Sequence, residues 1–241
     1  MSTNKTIIIT GASQGIGAGL VQNFLDRGYN VVATSRSIVQ RGAFTASANL
    51  VLVDGDIGQE KTAALVVAAA LEKFGRIDAL VNNAGIFYTK PFVDYTEEDF
   101  QAFVSTNLQG YLYITQHVVR QLLKQGTGGS VVGITTSLLE HPIAGVTASV
   151  PMITKGGINS LSTNLALEYA KDGIRFNLVA PGIVDTPMHE KNPKDFLKTL
   201  SPMGVISDVQ DIADAVVYLT EARTVTGEVL HVDGGAHSGK W

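Results

Sequence analysis

The sequence predicts a single doubly wound α/β domain, with a parallel sheet of about seven strands flanked by helices. Short, wholly apolar runs alternate with longer segments of helical periodicity, the pattern of strands buried on both faces and joined by crossover helices. The first of these runs leads straight into a glycine-rich turn. Hydrophobic residues make up 45% of the 241 residues and there are 25 glycines, enough for one large core around one sheet.

Residues 6–9 read as the first strand. They are followed by Thr10-Gly11-Ala12-Ser13-Gln14-Gly15-Ile16-Gly17 and by a segment with Leu20, Val21, Phe24 and Leu25 at helical spacing. Glycines there let the chain turn tightly and bring backbone N–H groups toward a pyrophosphate, which the following helix start also favours. The expected ligand is a dinucleotide and the fold is Rossmann-type. Strands are expected at residues 30–35, 49–53, 77–81 and 130–135, with helices at about 61–74 and 97–124, the latter opened by Thr96 as N-cap. The alternation continues with a helix at about 153–169 and a strand at 174–179. A helix opened by Ser207, with Gln210 closing a capping box, and a strand near 228–232 complete it. One irregular stretch, about 186–205, is rich in Pro, Lys and Met. With no repeat and no interdomain linker, one domain is expected over residues 1–241.

Several function classes are disfavoured. The chain has no cysteine, hence no disulfide, thiol nucleophile or thiolate metal site. Its net charge of −4 without a basic run gives no reason to expect nucleic acid or an anionic membrane surface. Five scattered histidines make no ligand-like pair, so no metal is expected. The start, Met1-Ser2-Thr3-Asn4-Lys5, is polar and no apolar run approaches the roughly 18 residues of a membrane span, so a cytoplasmic location is expected.

Beyond the glycine turn come Asp56-Ile57, Asn82-Asn83-Ala84-Gly85, Asn107-Leu108-Gln109-Gly110, Lys155-Gly156-Gly157, Asn177, Pro181-Gly182, Thr186, Thr226-Gly227 and Val232-Asp233-Gly234-Gly235. In that order and spacing the chain resembles the short-chain dehydrogenases/reductases over nearly its whole length. The resemblance implies a cofactor site made by Gly11, Ser13, Gln14, Gly15, Ile16 and Gly17, with Asp56 toward the adenine and Ile57 packing nearby. Asn83, Ala84 and Gly85 would line the adenosine, and Lys155, Pro181, Gly182 and Thr186 would lie toward the nicotinamide. NAD-selective relatives place a carboxylate at the end of the second strand, where this chain has Ser35 followed by Arg36. The expected cofactor is therefore NADP rather than NAD, although Gln14 brings no second cation to the glycine loop.

The catalytic set implied by the resemblance is an Asn, a Ser, a Tyr and a Lys four residues after the Tyr. Asn107 and Lys155 fit their places, whereas position 151 is proline, which can neither give nor take a proton. The serine role falls to Ser137 or Thr136, with Ser137 favoured. Glu140 and His141 are the titratable groups between the fifth strand and the lysine helix, and Pro151 fits a first helical turn, where its missing N–H costs nothing.

Three readings follow. The first is an NADP-dependent oxidoreductase of a small carbonyl or alcohol substrate with an atypical proton donor. The second is an NADP-binding sensor or regulatory partner without turnover, and the third a non-redox isomerase or lyase. The resemblance also implies a homo-oligomer, tetramer or dimer, and a substrate lid at about 186–205, with Met188, His189, Phe196, Leu197 and Met203 as candidate contacts. Trp241 is a candidate for closing part of the pocket.

Overall fold

The computed structural model describes residues 4–239, so Trp241 lies outside the described residues. Among the described residues seven strands form one parallel sheet: β1 (Thr6–Thr10), β2 (Asn30–Ser35), β3 (Leu50–Asp54), β4 (Ala79–Asn82), β5 (Gly129–Ile134), β6 (Ile174–Pro181) and β7 (Val229–Val232). Their order across the sheet is β3-β2-β1-β4-β5-β6-β7. The helices are α1 (Gly15–Asp26), α2 (Ile38–Arg41), α3 (Glu60–Phe74), α4 (Glu97–Phe103), α5 (Gly110–Gln125), α6 (Ser149–Glu168), α7 (Lys194–Lys198) and α8 (Val209–Glu221).

The continuous apolar runs are explained by burial on both sides. Ile7 and Ile9 enter the core shared with Leu20 and Phe24 of α1 and Ile212 and Val216 of α8, while Ile8 enters the opposite core with Val66 of α3 and Ile114 and Val118 of α5. The chain winds outward from β1 in one direction and from β4 in the other. Their carboxyl ends therefore part at the switch point where doubly wound sheets bind ligands.

The structure refines several boundaries. The segment expected as one helix over 97–124 is interrupted by a π-helical turn, Val104–Gln109, between α4 and α5. Thr96 is its N-cap as expected, with Asp99 closing the box. Ser207 and Gln210 do not cap α8: Ser207 is held in a bridge to Val184, and the Asp211 carboxylate accepts the Asp208 N–H at 2.7 Å instead. Helix α6 starts at Ser149, four residues before the expected start. Pro151 thus sits in its first turn, where no intrahelical N–H bond is lost. The short helix α2 was not expected; the stretch around 186–205 carries α7 as its own helix.

Candidate active site

The glycine turn between β1 and α1 is built for close approach. Gly11 has φ of 65°, and a Cβ on Gly17 would fall 2.2 Å from the Gly11 carbonyl oxygen, so loop and helix touch backbone to backbone. Asn83 locks this turn to β4: its Nδ2 donates to the Thr10 and Gly11 carbonyls at 2.9 and 3.1 Å. Thr10 Oγ1 in turn accepts the N–H groups of Asn83 and Ala84. No side chain caps α1, which leaves its first N–H groups facing the cleft, where an anion would satisfy them.

A cavity of about 750 Å³ opens at the carboxyl ends of the strands. Gly11, Gln14, Gly15, Ile16, Gly17, Asn83, Ala84, Gly85, Thr136, Ser137, Lys155, Pro181, Gly182 and Thr186 line it, which brings together most of the residues expected from sequence. Ser13, Ser35, Arg36, Asp56, Ile57 and Asn107 are not in its wall. Ser35 Oγ accepts the Ser37 N–H, and the exposed Asp56 caps its own turn by accepting from the Gly58 N–H at 3.0 Å. Ile57 is buried against Gly110 and Arg36 is exposed. Sequence reasoning missed one cation. Arg41 of α2 donates to Gln14 Oε1 at 2.8 Å, so a guanidinium does stand at the glycine loop, supplied from 27 residues away.

Asn107 lies in the π-helical turn and is buried. Its Oδ1 accepts the Ile86 N–H at 2.9 Å, and its Nδ2 donates to the Ile86 carbonyl at 3.2 Å and to Thr154 Oγ1 at 3.0 Å. Thr154 Oγ1 donates to the Pro151 carbonyl at 2.9 Å. Asn107 thus fixes the loop after β4 to the start of α6, and all its polar atoms are spent on that task.

Lys155, on the next turn of α6, is buried with its Nζ donating to the Ile134 carbonyl at 2.8 Å. A Cβ on Gly85 would lie 3.6 Å from that Nζ and 3.3 Å from Asn107 Oδ1, so the ammonium is wedged between the ends of β4 and β5. Among the described residues no carboxylate lines the cavity, and burial pushes the Lys155 ammonium down to about 8. Ser137 and Thr136 separate here: Thr136 Oγ1 accepts the Leu138 N–H at 3.3 Å as a cap, whereas the buried Ser137 hydroxyl makes no hydrogen bond to the described residues and faces the cavity.

His141 and Glu140 are not in the wall. His141 is exposed, and the Glu140 carboxylate lies 3.3 Å from His231 Nε2. Among the described residues, the ionisable groups that do line the cavity are Lys155, Tyr88 and His189. The Tyr88 phenol is raised by burial and by its hydrogen bond to Asp99, to which it donates at 2.9 Å. Of the expected lid contacts, Met188, His189, Phe196 and Leu197 line the cavity; Met203 does not, because its backbone N–H is tied to the Gly234 carbonyl and its side chain points outward.

A second cavity of about 490 Å³, at the opposite ends of the strands, includes Lys5, Asp78, Arg175 and Glu221. Arg175 is consumed by the carbonyls of Leu219, Thr220 and Val225, and Asp78 by Arg76 and the Thr6 N–H. Among the described residues no group of three or more His, Asp or Glu gathers as a metal site, and no helix is long and apolar enough to cross a membrane.

A family profile described as enoyl-(acyl carrier protein) reductase matches residues 11–237. L-rhamnose-1-dehydrogenase of Scheffersomyces stipitis is 31% identical, covering 96% of this chain and 95% of its own. A protein named L-rhamnose 1-dehydrogenase (NAD(P)(+)) from Azotobacter vinelandii is 33% identical, covering 96% of each. Among solved structures, ElxO with NADP bound superposes with a TM-score of 0.90 at 27% identity, over 98% of this chain and 100% of that one. The 3-ketoacyl-(acyl-carrier-protein) reductase of Brucella melitensis complexed with NADH does so with a TM-score of 0.88 at 28% identity, over 97% and 98%.

Proposed function

The chain belongs to the short-chain dehydrogenase/reductase family and is an NAD(P)-dependent oxidoreductase of carbonyl or alcohol groups; on that premise we propose that it is an NADP-preferring enzyme for small, largely apolar carbonyl compounds whose proton donor is Lys155. The observation that carries this reading is Lys155 itself, a buried ammonium in the same cavity wall as Ser137, with a proline at position 151.

The residues present fit the dinucleotide. The glycine backbone and the uncapped start of α1 suit its pyrophosphate, and Asn83, Ala84 and Gly85 leave room along β4. Arg41, with Arg36 nearby in sequence, supports a 2′-phosphate: a guanidinium pairs with phosphate through charge-assisted, bidentate bonds, and Ser35 offers no opposing carboxylate. When bound in its reduced form the cofactor supplies a hydride to the carbonyl carbon.

The chain supplies the rest. Ser137 holds the carbonyl oxygen by donating its hydroxyl proton in a hydrogen bond. Lys155 spends one of its three N–H groups on Ile134, and of the two that remain one passes a proton to the oxygen as the C–O double bond is reduced, leaving a neutral amine that solvent reprotonates. An acid near 8 is well matched to neutral conditions. Tyr88 is spent on Asp99, and His189 stands on the lid turn rather than on the rigid floor. Ile134, Leu138, Ile143, Val146 and Phe196 give the cavity its apolar character. Exposed Phe92, Val93 and Leu167 offer apolar surface for the expected homo-oligomer in the cytoplasm.

The test is NADPH absorbance loss over a carbonyl panel, with the native protein and Lys155→Ala, alongside cofactor fluorescence. Turnover lost in the variant supports the reading. NADPH binding without turnover in either protein favours the sensor or regulatory role that Pro151 suggests, and product formed with no change in the nicotinamide favours a non-redox reaction.

A further inference from the structure

We propose that Lys155 is also a nucleophilic amine that captures small aldehydes and ketones as an imine when the dinucleotide is absent from the cleft. The inference rests on the amine and its cavity and does not require hydride transfer.

The placement of Nζ carries the argument. Its hydrogen-bond partner is a neutral carbonyl, that of Ile134, and among the described residues no carboxylate stands in the cavity wall to compensate its charge. Other lysines differ: Lys90 and Lys194 are each joined to an aspartate at 2.6 Å, and Lys198 lies 3.5 Å from Asp195. A desolvated ammonium without a counter-charge gives up its proton readily, and the lowering to about 8 has burial as its cause. Roughly a quarter of the Lys155 population is then the neutral amine at pH 7.5, against about one part in a thousand for an ordinary lysine. Among the described residues, the titratable groups that share the cavity wall with it are Tyr88, spent on Asp99, and His189 on the lid; Asn107 on the π-helical turn is neutral.

The step balances without an oxidant or reductant. The nitrogen lone pair forms a C–N bond to the carbonyl carbon, the C–O π pair moves to oxygen, and a proton moves from nitrogen to that oxygen to give a carbinolamine. The C–O bond then breaks, the oxygen leaves as water with a second proton from nitrogen, and the nitrogen lone pair closes the C–N double bond. Ser137, buried, free of hydrogen bonds to the described residues and in the same wall, offers a hydroxyl for passing the proton from nitrogen to oxygen. The apolar lining selects carbonyl compounds with short hydrocarbon substituents and retards hydrolysis of the imine by limiting water.

Reductive trapping tests this. The full chain is incubated at pH 7.5 with butanal and cyanoborohydride, without nucleotide, and label is located by peptide mass mapping over time. Labelling of Lys155 at least about tenfold faster than the surface lysines is expected, with the fast phase absent from Lys155→Arg and suppressed by saturating NADP. Labelling of Lys155 no faster than the surface lysines, in a protein whose circular dichroism is that of a folded α/β chain, overturns the proposal. The redox reading fails separately: a chain that traps butanal at Lys155 but never oxidises NADPH keeps imine capture and loses the reductase.

Discussion

Lys155 Nζ and the Ile134 carbonyl oxygen are 2.8 Å apart, and this bond joins the second turn of α6 to the carboxyl end of β5. It sets the ammonium in the floor of the cleft with no carboxylate of the described residues in the cavity wall, which makes the residue costly for the fold and useful for chemistry.

The cost is measurable as a pH-dependent stability. Lys155 holds its proton less tightly when folded, at about 8, than at its ordinary value of 10.5. Below pH 8 both states are protonated and the folded state bears the full penalty. Between about 8 and 10.5 the unfolded chain binds more protons, so stability rises with pH as the penalty is relieved. Lys155→Met is therefore expected to be more stable than the native protein by up to about 3 kcal/mol at pH 7, or about 5–10 °C in Tm. That advantage should vanish near pH 10.5 in thermal melts; a constant difference across pH contradicts the assignment.

Arg41 is expected to set cofactor preference. Arg41→Ala removes a guanidinium from the glycine loop and should weaken NADPH at least about tenfold while leaving NADH nearly unchanged, the loss of a charge-assisted bond. Titration of both nucleotides by fluorescence checks this, and equal losses for the two exclude a 2′-phosphate contact.

Gly17→Ala should damage the cofactor site through packing. Its Cβ would lie 2.2 Å from the Gly11 oxygen, so the turn must open, at a cost of about 1–3 kcal/mol in denaturant unfolding and with much weaker dinucleotide binding. Gly28→Ala, where a Cβ meets nothing within 4 Å but φ is 78°, should lower stability without affecting binding.

Thr154 is expected to act by positioning. Thr154→Val leaves Asn107 Nδ2 short of an acceptor and should cost about 1–3 kcal/mol, whereas Thr154→Ser, which keeps the hydroxyl, should restore most of it. If the network matters for turnover, kcat falls with little change in KM in the valine variant and recovers in the serine variant.

What was legible in the sequence follows from how local each signal is. The strands could be read because burial on both faces makes them continuous apolar runs, as Ile7, Ile8 and Ile9 illustrate by packing into two different cores. The π-helical turn at Asn107 escaped because one wider turn barely disturbs the apolar period, and the partner that Asn107 bonds from it, Ile86, is 21 residues away. Arg41 escaped for the same kind of reason, since only the fold brings α2 to Gln14. Ser207 looked like a cap by residue type, but its backbone was already committed to Ile183 and Asp185, and the neighbouring Asp208 was free to start α8. His141, a titratable residue just before Pro142, is left in solvent by the fold, whereas His189, an expected lid contact, lines the cavity.

The most direct test of a lysine proton donor is the pH dependence of kcat for NADPH-linked carbonyl reduction, paired with a carbon NMR titration of ε-labelled lysine in the NADP-bound protein. A plateau below about pH 8 and a tenfold fall per unit above it are expected, matched by a lysine resonance that titrates in the same range and disappears in Lys155→Arg. A rate that stays level to pH 10, or a break that follows His189→Asn while the Lys155 resonance titrates near 10.5, would contradict it.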